Sequence, residues 1–316
     1  MRVDHQLRSF LSHPAHPMDP LPPTTQTLSS LLRLLDDDSP QVRQSVVEAL
    51  RVFDGDVSEW LHEMNVTLSA DEYQTLQRLL YPARRERLQH EWVVPAGGIT
   101  ALDDDWESVE ALTRSLSDFA HDGITLRPPL PDALDMLADE LAPAYEAGGE
   151  RELCLQYLKK IRLERSDSTR HDDLAQYDLA KVIWQGSTRH EACLLIIAIF
   201  VGQRLGADLR YRSLRRHGFI EFDQPNGEKL AFIPSQRQPI MDYHEWIRWL
   251  IRHMSCVDDT ISAPDRHSPS SLLLVFLIEL QACGTGCELD EDGELFDRLL
   301  DSLLMVGNRN VSDPLS

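Results

Sequence analysis

Apolar positions recur at helical spacing along most of the chain and at strand spacing in one region. Residues 28–53, LSSLLRLLDDDSPQVRQSVVEALRVF, predict two amphipathic helices broken at Asp38-Ser39-Pro40, with Ser39 as N-cap and Pro40 at the first helical position. Further helices are expected over Val57 to Met64 and from Ser69 to Leu88, the latter opened by a capping box of Ser69 and Glu72. Residues 93–100, VVPAGGIT, interrupt this period with Pro and Gly and read as a linker. Beyond them the periodicity predicts helices at Trp106 to Ala120, Pro131 to Tyr145 and Glu150 to Leu163. A polar segment over 164–173 then precedes a short helix at Leu174 to Trp184.

The longest continuous apolar run is Ala192 to Gly202. It is apolar on every face of a helix, so the helix should be buried all round. Thr188 and Glu191 have capping-box spacing at its start, and Gly206 suits a left-handed cap at its end. Cys193 falls in the second turn of such a helix, where the helix dipole favours an anion. Strand patterns follow at Leu209 to Leu214, His217 to Asp223 and Glu228 to Pro234, with the turn signal Pro225-Asn226-Gly227 between the last two. A tight loop at Asn226-Gly227 sets Gln236 opposite His217, and a longer one sets Pro234 there. The residue facing the histidine therefore lies within 234–236. Helices resume from Met241, from Ser268-Pro269 and from Gly293 to Val306.

These elements predict an α+β protein, mostly helical, in four parts. Residues 1–25 form a Pro- and His-rich tail without periodicity, 26–95 a helical domain, 96–245 a mixed domain with a small antiparallel sheet, and 246–316 a C-terminal helical segment. The helix pair in the second part, with Val42, Val46, Val47 and Leu50 on its second helix, is HEAT-like. A stable solenoid takes about three repeats or more, and only one unit matches here.

Charge narrows the partners. The formal net charge is −21, which opposes binding to phosphate backbones and anionic lipid, so neither nucleic acid nor membrane is expected. The N-terminus lacks the basic and apolar regions of a signal peptide, and five cysteines fit a reducing compartment, so a cytoplasmic location is expected. The pair Cys283 and Cys287, with His253 and Cys256 upstream, lacks the two short-spaced pairs of a structural zinc site and is read as a helix end. No phosphate loop, dinucleotide fingerprint or nucleophile elbow occurs, and neither a cofactor nor a metal is expected.

A cysteine near a helix N-terminus and a histidine on the neighbouring strand have the residue types of a thiolate nucleophile and its base. Gly186, then Cys193, the aliphatic run Leu194 to Val201, Arg204-Leu205-Gly206 and His217 eleven residues later form an ordered set. This set resembles the bacterial transglutaminase-like proteins of the SirB type over roughly residues 100–236. The resemblance implies a papain-like core preceded by helical repeats. Within it His217 matches the histidine of a Pro-Gly-His-Phe motif whose Pro-Gly is lost here. Ile233 stands where the family has an aspartate before a proline, so the third member of a Cys-His-Asp set is missing. Gln236 or Ser235 is placed to orient the imidazole instead. The resemblance also implies that serine often occupies the position of Cys193, and cysteine in an aliphatic run commonly serves as a small hydrophobe. The expected function is therefore that of a non-catalytic, acidic cytoplasmic scaffold that binds another protein. The alternative is a cysteine-dependent acyl-transfer enzyme, a peptidase, deamidase or transglutaminase, with Cys193 as nucleophile, His217 as base and Gln236 as orienting residue.

Overall fold

The computed structural model describes residues 24–164, 174–214, 217–253, 268–284 and 290–304. It is mostly helical with one four-stranded antiparallel sheet, an α+β arrangement. The chain divides into two compact units, Met1–Ala83 and Arg84–Ser316.

In the first unit, α1 (Thr25–Leu32) packs on α2 (Pro40–Leu50) and α3 (Ser58–Glu63). Leu28, Val46, Leu50, Phe53 and Val57 are buried there, and the Phe53 and Trp60 rings meet edge to face at 5.1 Å. Pro40 occupies the first turn of α2 as its missing N–H allows. Ser39 precedes it without a side-chain cap; its hydroxyl bonds the Gln41 side chain at 3.0 Å instead. The capping box of α4 (Ala70–Glu91) is complete: Ser69 N–H donates to Glu72 Oε2 at 2.7 Å, and Glu72 N–H donates to Ser69 Oγ at 3.3 Å. The division between the units falls inside α4, one residue after Pro82, which has no N–H to give the helix. The Pro-Gly stretch 93–100 thus lies within the second unit, where Trp92 Nε1 donates to Ser302 Oγ at 2.8 Å.

The second unit continues with α5 (Trp106–Ala120) and α6 (Leu130–Lys160). Glu140 and Lys160 of α6 are 2.6 Å apart although twenty residues separate them, about 30 Å along a straight helix. The element is therefore a hairpin of two arms. Gly149, at φ 62° and ψ −154°, supplies a backbone conformation that L-residues rarely adopt, and the chain folds back there. This matches the two separate helices that the pattern predicts.

Strand β1 (Arg162–Leu163), α7 (Leu179–Gln185) and β2 (Ser187–Thr188) follow, the two short strands pairing in parallel. Next come α8 (Glu191–Leu205) and the meander β3 (Arg210–Leu214), β4 (His217–Asp223), β5 (Lys229–Phe232) and β6 (Ile240–Asp242). Helices α9 (Tyr243–His253), α10 (Pro269–Gly284) and α11 (Asp290–Leu304) complete the unit. Every residue of α8 from Ala192 to Gly202 is buried, as its unbroken apolar sequence requires, beneath α6, α7, α10 and the sheet.

The pleat gives the sheet two faces. Tyr211, Gly218 and Phe232 belong to the face that packs on α8 and α6, where the Phe232 and Tyr157 rings are 6.5 Å apart. Phe219, Ala231 and Ile233 belong to the other face and form a core with Trp246 and Leu250 of α9. The β4–β5 loop is a turn closed by Gly227 N–H donating to the Gln224 carbonyl at 2.8 Å. Pro225 and Asn226 occupy its centre, and Gly227 follows at φ 82°. The glycine thus serves as a left-handed bulge after the turn and not as half of a two-residue loop.

No helix among the described residues is long and apolar enough to cross a membrane.

Candidate functional site

The start of α8 is set by what precedes it. Thr188 is held in β2, where its carbonyl accepts from Glu164 N–H at 2.8 Å, so the helix begins after His190. The Thr188 hydroxyl accepts from His190 N–H at 3.2 Å. Glu191, expected to return to Thr188 in a capping box, instead accepts the Ser235 N–H on Oε1 at 3.0 Å and ties the segment after β5 to the helix. At the far end Gly206 takes the left-handed cap at φ 71°. Arg204 grips both Glu110 oxygens at 2.7 and 2.8 Å and Asp135 at 2.5 Å, so the Arg-Leu-Gly run locks α8 to α5 and α6.

Cys193 is the third residue of α8, one turn earlier than the pattern predicts, and it is fully buried. Its Sγ donates to the Gln176 carbonyl at 3.7 Å. Burial raises the thiol pKa, and the nearby Glu279 carboxylate raises it further; a hydrogen bond with Thr188 opposes them weakly. The helix dipole that would favour a thiolate is outweighed by loss of solvent, the normal outcome for a thiol sealed among aliphatic groups.

His217 opens β4, its backbone paired with Leu214; its side chain lies outside the described residues. Phe219 and Glu221, two and four positions later, lie on the sheet face away from α8, whereas Gly218 lies against it. A Cβ on Gly218 would sit 2.9 Å from Leu195 Cδ1 and 3.0 Å from Tyr211 Oη, so glycine is what lets the strand approach the helix. Gln236 is half-buried in the turn after β5, and its N–H donates to the Ile233 carbonyl at 3.1 Å. The β4–β5 register, continued beyond the last pair Ile220 with Phe232, runs toward Ser235, within the interval the pattern allows. Among the described residues no hydrogen bond joins Cys193 to Gln236. Cys256, Cys287 and the side chain of His253 lie outside the described residues.

Around the start of α8 stands a group of side chains that periodicity alone does not single out. The Tyr177 and His190 rings lie with their centroids 4.2 Å apart and their planes tilted by 30°. Glu279, from α10, has its carboxyl pKa pushed up to about 7 by burial and then by the charge of Glu191. Both carboxylates also act on Tyr211, whose phenol is raised chiefly by burial. The signal that would have found Glu279 is a lone carboxylate in the apolar run SLLLVFLIELQ.

A second polar cluster is more deeply buried. Asp178 caps α7 by accepting Lys181 N–H on Oδ1 at 3.1 Å. Its Oδ2 lies 2.8 Å from His121 Nδ1 and 2.8 Å from Arg127 Nε. A carboxylate oxygen only accepts, so Nδ1 carries the proton in that bond. Ser117 donates to Asp178 Oδ1 at 3.3 Å and accepts from Leu179 N–H at 2.9 Å. Asp122 accepts from the N–H groups of Ile124 and Thr125 at 2.8 and 2.7 Å. Burial would raise its pKa, but His121 and those donors outweigh it and hold the carboxyl well below its usual range. His121, Asp122 and Asp178 are all buried, and their bonds join the end of α5 to the start of α7. Asp178 before LAKVIWQ is legible as an N-cap; its burial beside a histidine and an arginine is not.

Compared with protein-family models, with curated proteins and with solved structures, the chain gives no match.

Proposed function

We propose that this chain is a transglutaminase-like protein of the SirB type that has no catalytic role. In this reading it is an acidic cytoplasmic scaffold whose HEAT-like helices and papain-like core bind another protein. The observation that carries it is the state of Cys193: fully buried, bonded to a backbone carbonyl, with its thiol pKa raised. A nucleophilic cysteine needs the thiolate and access for a substrate, and this environment opposes both. Ile233 in the family's aspartate position supports the same conclusion, because it is committed to the apolar core under α9.

A second reading is an acyl-transfer enzyme with Cys193, His217 and Gln236. It rests on these residue types and on their order in the chain.

Iodoacetamide labelling between about pH 6 and pH 9 decides between them, with modification at Cys193 located by peptide mass. We expect Cys193 to stay unmodified in the native protein and to label only in denaturant. Labelling of native Cys193 near pH 6, lost in His217→Ala, would overturn the proposal in favour of the enzyme.

A further inference from the structure

The two arms of α6 and the side of α7 enclose a groove of about 220 Å³. Leu137, Ile161 and Ile183 line it, and Met136 and Trp184 stand at its mouth, 53% and 63% exposed. Its volume is below the roughly 300 Å³ at which small-molecule sites begin, and suits one or two side chains of a peptide. Tryptophan and methionine are enriched at protein interfaces, and buried tryptophan dominates many of them energetically. In a folded monomer these two leave apolar surface in water without return.

Charge says what fits there. The charged lining is the ion pair of Glu140 and Lys160, 2.6 Å apart, which neutralises the only base among the described residues of the wall. Asp132 lies one turn before Met136 on α6 and Asp139 one turn after, and both are exposed. The rim is therefore apolar at its centre and acidic along α6, while Lys181, one turn before Trp184 on α7, is engaged by Asp122 at 3.4 Å.

We propose that this groove binds a partner protein through a short amphipathic segment. An apolar side chain of that segment inserts between Met136 and Trp184, and Lys or Arg residues about one turn away meet Asp132 and Asp139. A second copy of this chain fits poorly, because at −21 it brings like charge to an acidic rim. The proposal rests on the interaction-protein reading and deepens it by giving the partner's chemistry.

The test uses the full chain and a fluorescein-labelled Leu/Lys amphipathic helix of about five turns, followed by anisotropy, alongside the same peptide with Glu in place of Lys. We expect saturable binding of the Lys peptide, weakened about tenfold by Trp184→Ala and by Met136→Ala. Asp132→Lys with Asp139→Lys should weaken it and flatten its salt dependence, and the Glu peptide should not bind. Both apolar positions are more than half exposed, so a matching urea midpoint shows that each variant is folded. Equal binding by the Glu peptide overturns the proposal, as does Lys-peptide binding indifferent to Trp184 and Met136, or no binding. A concentration-dependent dimer abolished by Trp184→Ala would assign the groove to self-association instead. Each of these failures leaves the labelling of Cys193 unchanged, so failure of the groove and failure of the non-catalytic reading are told apart.

Discussion

Two groups of ionisable side chains are taken out of water in the second unit, and burial has opposite outcomes in them. In the group centred on Asp178, favourable partners converge on carboxylates: the His121 and Ser117 donors and the Arg127 guanidinium on Asp178, and the N–H groups of residues 124 and 125 on Asp122. The Asp122 carboxyl is held below its usual range despite burial. At the start of α8, Glu279 faces burial and a second carboxylate, Glu191, and both push its pKa up, to about 7. Desolvation is common to both places. The sign of the result is set by the partners. The first group is a structural tie between α5 and α7, and the second carries destabilising charge at neutral pH.

The largest expected effect follows from breaking the tie. Asp178→Ala removes the cap of α7 and takes a buried carboxylate from His121 and Arg127, leaving Asp122 3.8 Å from the first and Asp118 2.7 Å from the second. Removing one partner from a buried charged pair costs about 3–5 kcal/mol. Urea unfolding at neutral pH should show that loss in the midpoint at a constant slope. Asp178→Asn keeps a capping oxygen and should lie between the variant and the parent. A loss below about 1 kcal/mol for Asp178→Ala would place the cluster with ordinary surface ion pairs and remove one side of the comparison.

The opposite sign is expected at Glu279. Its folded pKa is raised above the ordinary value of 4.5, so the folded state holds the proton more tightly than the unfolded chain does. Its contribution is therefore fully present below about pH 4.5 and is lost as pH rises through about 7. A shift of that size corresponds to about 2–3 kcal/mol once partial solvent access is allowed for. Glu279→Gln cannot ionise and should lose this slope. It should match the parent near pH 4 and exceed it by about 2 kcal/mol near pH 8, read from urea midpoints at the two pH values. Parallel pH profiles for the two proteins would show that burial and the Glu191 charge do not raise the Glu279 pKa as described.

Much of the fold is legible from period alone. The fully apolar run becomes the buried helix α8, the alternating stretches become β3 to β5, and the Ser69–Glu72 box closes with both bonds. What periodicity misreads are places where a local motif competes with a tertiary bond. Thr188 and Glu191 have capping-box spacing, but pairing with β1 holds the threonine and the Ser235 amide takes the glutamate. Asn226-Gly227 signals a two-residue loop, but Pro225, with its fixed φ, starts the turn one residue earlier and shifts the register by one. The site is legible in part: the position of Cys193 near a helix start follows from its neighbours, but its burial depends on α10 and on residues 174–177, which only the fold brings against it. Asp178 is legible only as an N-cap and Glu279 only as a lone carboxylate, because their further meaning lies in partners that only the fold assembles.

The smallest effect is expected where the sheet touches α8, and it tests whether the crowded side of the comparison can adjust. A Cβ at Gly218 would lie 2.9 Å from Leu195 Cδ1 and 3.0 Å from Tyr211 Oη, and both side chains are buried, with little room to retreat. Against this crowding, replacing a strand glycine by alanine restores about 0.5–1 kcal/mol by restricting the unfolded chain. Overpacking of a closed core costs about 1–3 kcal/mol, so the net loss for Gly218→Ala should be about 1 kcal/mol. Leu195→Ala alone opens a cavity and costs more. Combining it with Gly218→Ala places a methyl group where the leucine tip was. The pair should therefore lose less than the sum of the two single losses, a coupling that urea unfolding of all four proteins measures directly. Strict additivity would mean that β4 moves off α8 when Gly218 is filled.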